Sequence, residues 1–317
     1  MTSPSVTLVV VPRERFSYAR QMLDAIYRKT DYPFDLVYVD GCSPDPVRRY
    51  LEHESTTRLF RLIRCDTFVS PNRARNIGLQ HVHPSSKYVV FIDNDVEVER
   101  GWLSRLITCA EETGAWAVSP VYFEGVPRDE VIHMAGGYAE FEEKNGVRAF
   151  HEDHLHNQKA YRATRPVLRR ESTGFFEFHA VLLRLTALNQ LGPLDEALLS
   201  SHEHLDLSLL IRQAGGSICL EPDSLITYVY GLLDDYDLQY ASLRWSDEWN
   251  RSSAAHFAKK WQLDVDAMWI ESAADWGRRH LEHLKRLRRS PRTILKWQAK
   301  TNLLTRRAYG WLRAATQ

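Results

Sequence analysis

The sequence predicts an α/β fold: a mostly parallel sheet flanked by helices, followed by a helical C-terminal extension. Three observations carry that prediction. Over the first 120 residues, short runs rich in Val, Ile, Phe and Tyr alternate with amphipathic stretches, which is the pattern of strand and helix in succession. The chain has 317 residues, 44% of them apolar and 11% aromatic, enough for one large core or two ordinary ones. From about Asp237 onward helical stretches dominate, with Trp245, Trp249, Trp261, Trp269 and Trp276 along them.

The first strand is "VTLVVVP" from Val6, followed by a helix over Ser17 to Lys29 with Ser17 as its N-cap. The second strand, "FDLVYVD" from Phe34, leads to a helix over Pro44 to Glu54 capped by Ser43. "RLFRLIRC" from Arg58 is the third strand, with a helix over Pro71 to His81 after it. "KYVVFID" from Lys87 is the fourth, and a helix over Gly101 to Thr113, stopped by Gly114, leads to "AWAVSP" from Ala115. Between Tyr122 and Arg170 the alternation breaks. Asn145-Gly146 signals a hairpin there, and a polar mobile loop follows in which His151, His154 and His156 read as a solvated His-rich stretch. "TGFFEFHAVLLR" is strand-like, "TALNQLGPLDE" is a short helix and turn, and "SSHEHLDLSLLIRQAGG" is a helix with Leu205, Leu209 and Leu210 on its buried stripe and Gly215 as its stop.

Parallel strands joined this way open a ligand crevice beyond their carboxyl ends. Asp40 ends the second strand, and Asp93 and Asp95 end the fourth on either side of Asn94, so all three acids are expected at one edge. Loop initiation and helix capping are the alternative uses of such residues. Two carboxylates this close repel each other unless a cation or solvent intervenes, so "YVVFIDNDVE" is either an exposed turn or half of a cation site.

Formal net charge is zero, yet a dozen Lys and Arg face a single acid, Glu282, from Trp276 to the end. In that stretch Ile294, Trp297, Thr301, Leu304, Ala308 and Trp311 recur at three- and four-residue steps. A basic amphipathic helix of this kind suits a membrane surface; the alternative is packing on its own domain or on a second copy in a homodimer. No nucleic-acid-binding module accompanies the basic run, so nucleic acid is not an expected partner. The four cysteines, Cys42, Cys65, Cys109 and Cys219, form no Cys-x-x-Cys pair, which fits a reducing compartment. The N-terminus lacks a basic leader segment and no apolar run is long enough to span a bilayer, so the expected location is cytoplasmic, with peripheral attachment at the membrane as the variant.

Five blocks in order, "VVVPRER", "VYVDGCSPD", "PNRARNIGL", "FIDNDVEVERGWL" and "HEHLDLSLLIRQAGGSICLEPDSLITY", resemble the family-2 glycosyltransferases of the GT-A fold over roughly residues 5 to 230. The resemblance implies a Rossmann-like GT-A domain over 1–235, with a nucleotide-sugar-binding half (1–120) and an acceptor-binding half (121–235), and an extension over 236–317. It implies a metal-dependent, inverting transfer of a sugar from a nucleoside diphosphate, UDP being the expected one, to a hydroxyl of a glycan or lipid-linked saccharide. By the same resemblance Asp95, with Asp93, would ligate Mn²⁺ or Mg²⁺. Pro12, Arg13, Asp40, Arg75, Asn76, Asp93 and Asn94 would contact the donor. The family's general base is a carboxylate of a Glu-Asp pair. Here the pair reads Glu203-His204, leaving Glu203 or Asp206 as the base and Ser200-x-x-Glu203 open as a capping box.

Phe175, Phe176, Glu177 and His204 are expected on the acceptor side, the rings either stacking on sugar or packing in the core. Tyr228 stands where the family often carries a metal-binding His, a place His202 or His204 could fill. These two departures keep a second reading open, a catalytically weak or inactive nucleotide-sugar-binding partner in a glycan assembly complex. A nucleotidyltransferase is the third reading, and the absence of glycine from "VVVPRERFSYAR" counts against its phosphate loop.

Overall fold

The computed structural model describes residues 5–229 and 232–288. Twelve strands and ten α-helices are assigned among them. The strands are β1 (Val6–Val11), β2 (Asp35–Asp40), β3 (Arg61–Arg64), β4 (Tyr88–Asp93), β5 (Val96–Val98), β6 (Ala117–Gly125), β7 (Ile132–Met134), β8 (Gly137–Lys144), β9 (Val147–His154), β10 (Glu171–Ser172), β11 (Ala180–Arg184) and β12 (Ile218–Val229). The helices are α1 (Ala19–Lys29), α2 (Asp45–Thr57), α3 (Pro71–Leu79), α4 (Trp102–Thr113), α5 (Tyr161–Thr164), α6 (Leu185–Leu191), α7 (Glu203–Gln213), α8 (Asp235–Arg244), α9 (Asp247–Lys260) and α10 (Ala267–Arg286).

The main sheet runs β10-β12-β6-β11-β4-β1-β2-β3. β3, β2, β1 and β4 are mutually parallel, as the alternating pattern requires. β11 then enters antiparallel between β4 and β6, and β12 pairs parallel with β6. β1 and β4 are buried along their whole length, because helices cover both faces and leave no polar side to alternate with. One core joins the sheet to α1 and α4; the other joins it to α3, α6 and α7. α3 lies so close to the sheet that a Cβ on Gly78 would come within 2.2 Å of Val9.

Asn145 and Gly146 both take positive φ (55° and 78°) and join β8 to β9 as the two-residue hairpin turn the sequence signals. Four local expectations are corrected. Ser17 does not cap α1, because its N–H and hydroxyl donate to Asp237 (3.1 and 2.5 Å); α2 is preceded by Pro44, with Ser43 donating back to Asp40. "TGFFEFH" is irregular and only Ala180–Arg184 pairs as a strand; Phe175, Phe176 and Phe178 are all buried, Phe175 in one core and Phe176 and Phe178 in the other. The His-rich stretch is partly in β9, which carries His151 and turns His154 inward.

The basic stretch from Ile294 to Trp311 lies outside the described residues. Among the described residues no helix is long and apolar enough to cross a membrane. Trp245 is buried, Trp261 packs beside Phe141 (ring centroids 5.7 Å apart) and Trp269 beside His202 (5.6 Å), so these indoles serve intramolecular packing.

Candidate active site

The turn after β4 grips the segment after β1. Asn94 donates its N–H to the Val11 carbonyl (3.0 Å), and its side-chain oxygen accepts the Arg13 N–H (2.8 Å). This fixes three consecutive charged side chains, Arg13, Glu14 and Arg15, against the acids of the turn. Arg13 Nη1 lies 3.1 Å from Asp93 Oδ2, and Arg15 Nη1 lies 2.9 Å from Asp95 Oδ2. β5 pairs with the end of β12 and sets Tyr228 opposite Val96. The Tyr228 hydroxyl there accepts from Arg15 Nη1 (3.0 Å) while its ring stacks on His179 at 4.4 Å.

Two helices complete the cluster. From α3, Arg75 reaches Asp93 (Nη2 to Oδ1, 3.6 Å) and Glu203 (Nη1 to Oε1, 3.9 Å), with its guanidinium 3.6 Å from the Phe178 ring centroid. From α8, Arg244 reaches Glu203 Oε1 (3.4 Å) and Glu14 Oε1 (3.9 Å), and the neighbouring Trp245 indole donates to Glu14 (2.8 Å). Arg13, Arg15, Arg75 and Arg244 thus face Glu14, Asp93, Asp95 and Glu203. Apart from the 12% exposed Arg13 side chain, the ionic side chains here are at most 4% exposed. Buried charge is tolerated only when paired, and here the pairing is nearly one to one.

The pairing is uneven in its consequences. Burial alone would raise the Asp93 carboxyl, but Arg13, His179 and Arg75 outweigh it and hold it below the usual carboxylate range. Glu14 is likewise lowered, Arg13, Arg244 and Arg15 overcoming the effect of burial. At Asp95 burial wins: despite Arg15 its carboxyl is pushed up to about 7, with Glu14 and Asp93 adding to the rise. Burial lowers Arg75 to about 10, and burial with Arg13 lowers His179 to about 4.

Several expected site residues are used differently. Asp40 closes β2 as the loop-starting acid, accepting from Ser43 N–H (2.8 Å), Ser43 Oγ (2.9 Å) and Arg64 Nη1 (2.5 Å). The Asn76 amide does not turn to the acids; it bonds Leu194 in both directions (2.9 Å each) and Glu196 (2.9 Å). Asn72 instead supports the site, accepting from Arg75 Nη1 (3.1 Å). Asp206 faces α9, bound to Lys260 Nζ (2.8 Å) and Trp261 Nε1 (2.9 Å), so of the two acids of α7 only Glu203 meets the cluster. Glu203 is no capping-box member either. His202, with φ of 66°, precedes α7, and no side chain caps that end. Phe175 and Phe176 have no exposed surface and are core residues. Pro12 stands at the same edge, where a Cβ on Gly41 would come within 2.6 Å of its ring.

The Asp-Asn-Asp turn offers carboxylate oxygens to a divalent cation. Asp93 Oδ1 and Asp95 Oδ1 are buried and have no hydrogen-bond partner among the described residues, while their other oxygens meet Arg13 and Arg15. Asp95 Oδ1 therefore remains for a hard cation, and Asp93 Oδ1 is met only by the longer Arg75 contact at 3.6 Å; carboxylate oxygen is the ligand type that Mg²⁺ and Mn²⁺ take. The residues fit.

On the far side of His179, Glu177 gathers imidazoles. Its Oε1 lies 3.2 Å from His154 Nε2 and 3.5 Å from His204 Nε2, and His154 in turn packs against His133 (ring centroids 4.9 Å apart).

A model of the family described as "Glycosyl transferase family 2" matches residues 7–192. The chain belongs to glycosyl transferase family 2. It is 26% identical over 158 residues to the pre-mycofactocin glycosyltransferases of two Mycobacterium tuberculosis strains (CDC 1551 / Oshkosh and H37Rv), a match spanning 50% of this chain and 30% of those proteins. Among solved structures, GalNAc-T7 with UDP, GalNAc and Mn²⁺ superposes with a TM-score of 0.54 at 16% identity, covering 87% of this chain and 54% of that one. The mannosyltransferase PcManGT from Pyrobaculum calidifontis, in complex with GDP-Man and Mn²⁺, gives 0.53 at 18% identity, covering 100% and 81%. The fold of this family-2 chain is therefore GT-A, with a helical C-terminal region.

Sequence reasoning missed Glu14, Arg15, His179, Arg244 and Trp245 as members of the cluster. A signal existed for two of them: charged residues directly after a fully buried strand, as in "VVVPRER", must find partners at the strand's end.

Proposed function

We propose that this family-2 protein transfers a sugar from a nucleoside diphosphate sugar, UDP being the expected nucleotide, to an acceptor hydroxyl with inversion at the anomeric carbon. The observation that carries the reading is the Arg75 bridge, one buried guanidinium within 3.6 Å of Asp93 and 3.9 Å of Glu203. It joins the acids expected at the donor to the acid expected at the acceptor. Glu203 Oε2 is buried without a hydrogen-bond partner among the described residues, so one oxygen is available to take the acceptor proton as the acceptor oxygen bonds to the anomeric carbon. The bond from that carbon to the diphosphate breaks on the opposite face, and its electron pair leaves with the diphosphate.

Negative charge then develops on phosphate oxygens. Nε and Nη2 of Arg15, and Nε and Nη1 of Arg244, are buried donors without a hydrogen-bond partner among the described residues, suited to that charge. A divalent cation held by Asp93 and Asp95 would supply further charge neutralisation at the diphosphate. Residues 1–120 and 121–235 are proposed as donor and acceptor halves, a glycan or lipid-linked saccharide being the acceptor. The stretch beyond Arg288 is proposed to rest on a membrane surface, with a homodimer contact as the alternative.

The second reading, a nucleotide-sugar-binding partner with weak or no activity, is favoured by His204 in place of an acid and by the tight closure of the cluster over Asp93 and Asp95, both without exposed surface. Nucleotide release from a panel of UDP- and GDP-sugars, with Mn²⁺ or with chelator, separates the two. Under the transferase reading Glu203→Gln lowers turnover by about 10²- to 10⁴-fold, and Asp95→Asn abolishes the metal response. Nucleotide binding without release from any donor establishes the second reading.

A further inference from the structure

We propose that His133, His154 and Glu177 form a second divalent-cation site, distinct in ligand chemistry from the Asp-Asn-Asp turn and suited to a borderline ion such as Zn²⁺ or Co²⁺. One ligand atom from each of these residues lies within 4.8 Å of the other two. A tetrahedral ion about 2.1 Å from its ligands sets them about 3.4 Å apart. His154 Nε2 and Glu177 Oε1 stand at 3.2 Å, a hydrogen bond whose proton an ion would replace, and His133 offers the third atom within 4.8 Å. The residues come from β7, the end of β9 and the segment before β11, three places far apart in sequence.

The surroundings are those of a metal site rather than a chance meeting. His133 Nδ1 is 3.2 Å from Glu124 Oε2, and Glu124 Oε1 in turn accepts from Gln158. A carboxylate behind one ring nitrogen fixes the ring and leaves the other nitrogen for an ion, the usual outer arrangement of a metal-bound histidine. Phe175 closes the back, tilted against His154 at 5.4 Å and His204 at 5.8 Å. The side chains of His133, His154 and Glu177 keep 21%, 26% and 13% exposure, which gives an ion a way in. Three protein ligands with an open fourth position describe a site that can also bind an outside group, and His204, 3.5 Å from Glu177, stands beside it.

Two imidazoles and one carboxylate favour Zn²⁺ and Co²⁺, whereas the all-carboxylate turn favours Mg²⁺ and Mn²⁺. The two sites can therefore be told apart by the ion as well as by the variant. An ion here would tie the β8–β9 hairpin to the sheet and to the segment before β11.

The test uses the full chain, stripped with chelator and titrated with Co²⁺. Expected is one equivalent giving the visible absorption of nitrogen-ligated cobalt, displaced by Zn²⁺, together with a rise in melting temperature. His154→Gln and Glu177→Gln should each weaken binding more than about 100-fold, and Glu124→Gln by about 10- to 100-fold. Asp95→Asn should leave the cobalt spectrum unchanged. A wild-type chain that shows no nitrogen-ligated cobalt spectrum in excess Co²⁺ overturns the proposal. So does binding that survives Glu177→Gln and disappears in Asp95→Asn, which would put the ion at the turn. Because the wild-type titration stands alone, the outcome does not depend on the variants folding.

Discussion

Around Asp93 the carboxylates are closed off from solvent and answered by guanidiniums; around Glu177, across His179, a part-exposed carboxylate is answered by imidazoles. Guanidinium stays charged at any accessible pH and presents a fixed fork of donors, so the cations of the first cluster are permanent, although burial pushes Asp95 among its acids up to about 7. Imidazole changes charge near neutrality and can give up its proton to bind a metal. The cations of the second cluster are therefore adjustable where those of the first are fixed. Carboxylates alone do not say what a site does; their counterions and their depth do.

The largest consequence is in stability. Arg15 has no exposed surface and pairs with Asp95, so Arg15→Met leaves a buried carboxylate without its partner and should destabilise the chain by about 3–5 kcal/mol. Glu177→Gln keeps a hydrogen-bonding group of the same size beside imidazoles that can lose their charge, and should cost less than Arg15→Met. Urea unfolding of both variants in chelator reads the difference, and equal losses would remove the distinction between the two regions.

Much of the first cluster was legible in the sequence; of the second, Glu177 and His204 were expected together on the acceptor side, while His133 and His154 were not expected beside them. Asp93, Asp95 and Arg13 sit at the ends of buried parallel strands, where topology gives every side chain one edge to share. Glu203 was placed by its block, although the helix geometry that turns Asp206 toward Lys260 and Trp261 was not visible in a three-residue spacing. Arg244 comes from a helix that reads as part of an appendage, and nothing local marks it as reaching Glu203. His133 and Glu177 meet only because β7 and the segment before β11 pack together, and a histidine in a polar stretch looks solvated until β9 turns it inward. Strand ends are local facts; the second cluster depends on packing.

A smaller effect, opposite in sign on the two sides, should appear with pH. His179 is buried and its value falls to about 4, from burial first and then Arg13. An unfolded histidine takes a proton near 6.5, so the unfolded state binds more protons between about 6.5 and 4. Stability from His179 is present above that window and declines as pH falls through it, by up to about 3 kcal/mol. His154 is raised: burial lowers it, but the hydrogen bond to Glu177 and that acid's charge prevail. Its contribution is full below 6.5 and declines as pH rises through its folded value. In chelator, imidazole NMR titrations should place His179 below the unperturbed value and His154 above it. Matching titrations would mean that the two clusters share one environment.

The smallest effect sharpens the comparison most, because it changes geometry and keeps charge. Arg75 lies over Phe178 and holds Asn72, Asp93 and Glu203 within reach of one planar group. Arg75→Lys retains the positive charge but replaces the fork by a single ammonium, which cannot serve Asp93 and Glu203 together. On the proposed donor-side role of Arg75, loss of one charge-assisted contact should weaken nucleotide binding about tenfold, equivalent to about 1.4 kcal/mol. The cobalt response of the Glu177 cluster should stay as in the wild type, since Arg75 is in contact with none of His133, His154 and Glu177 among the interactions described. Calorimetric titration of nucleotide and cobalt on the same preparation measures both. A change in nucleotide affinity alone means that His179 divides two independent sites, whereas parallel changes in both mean that the guanidinium cluster and the imidazole cluster respond as one.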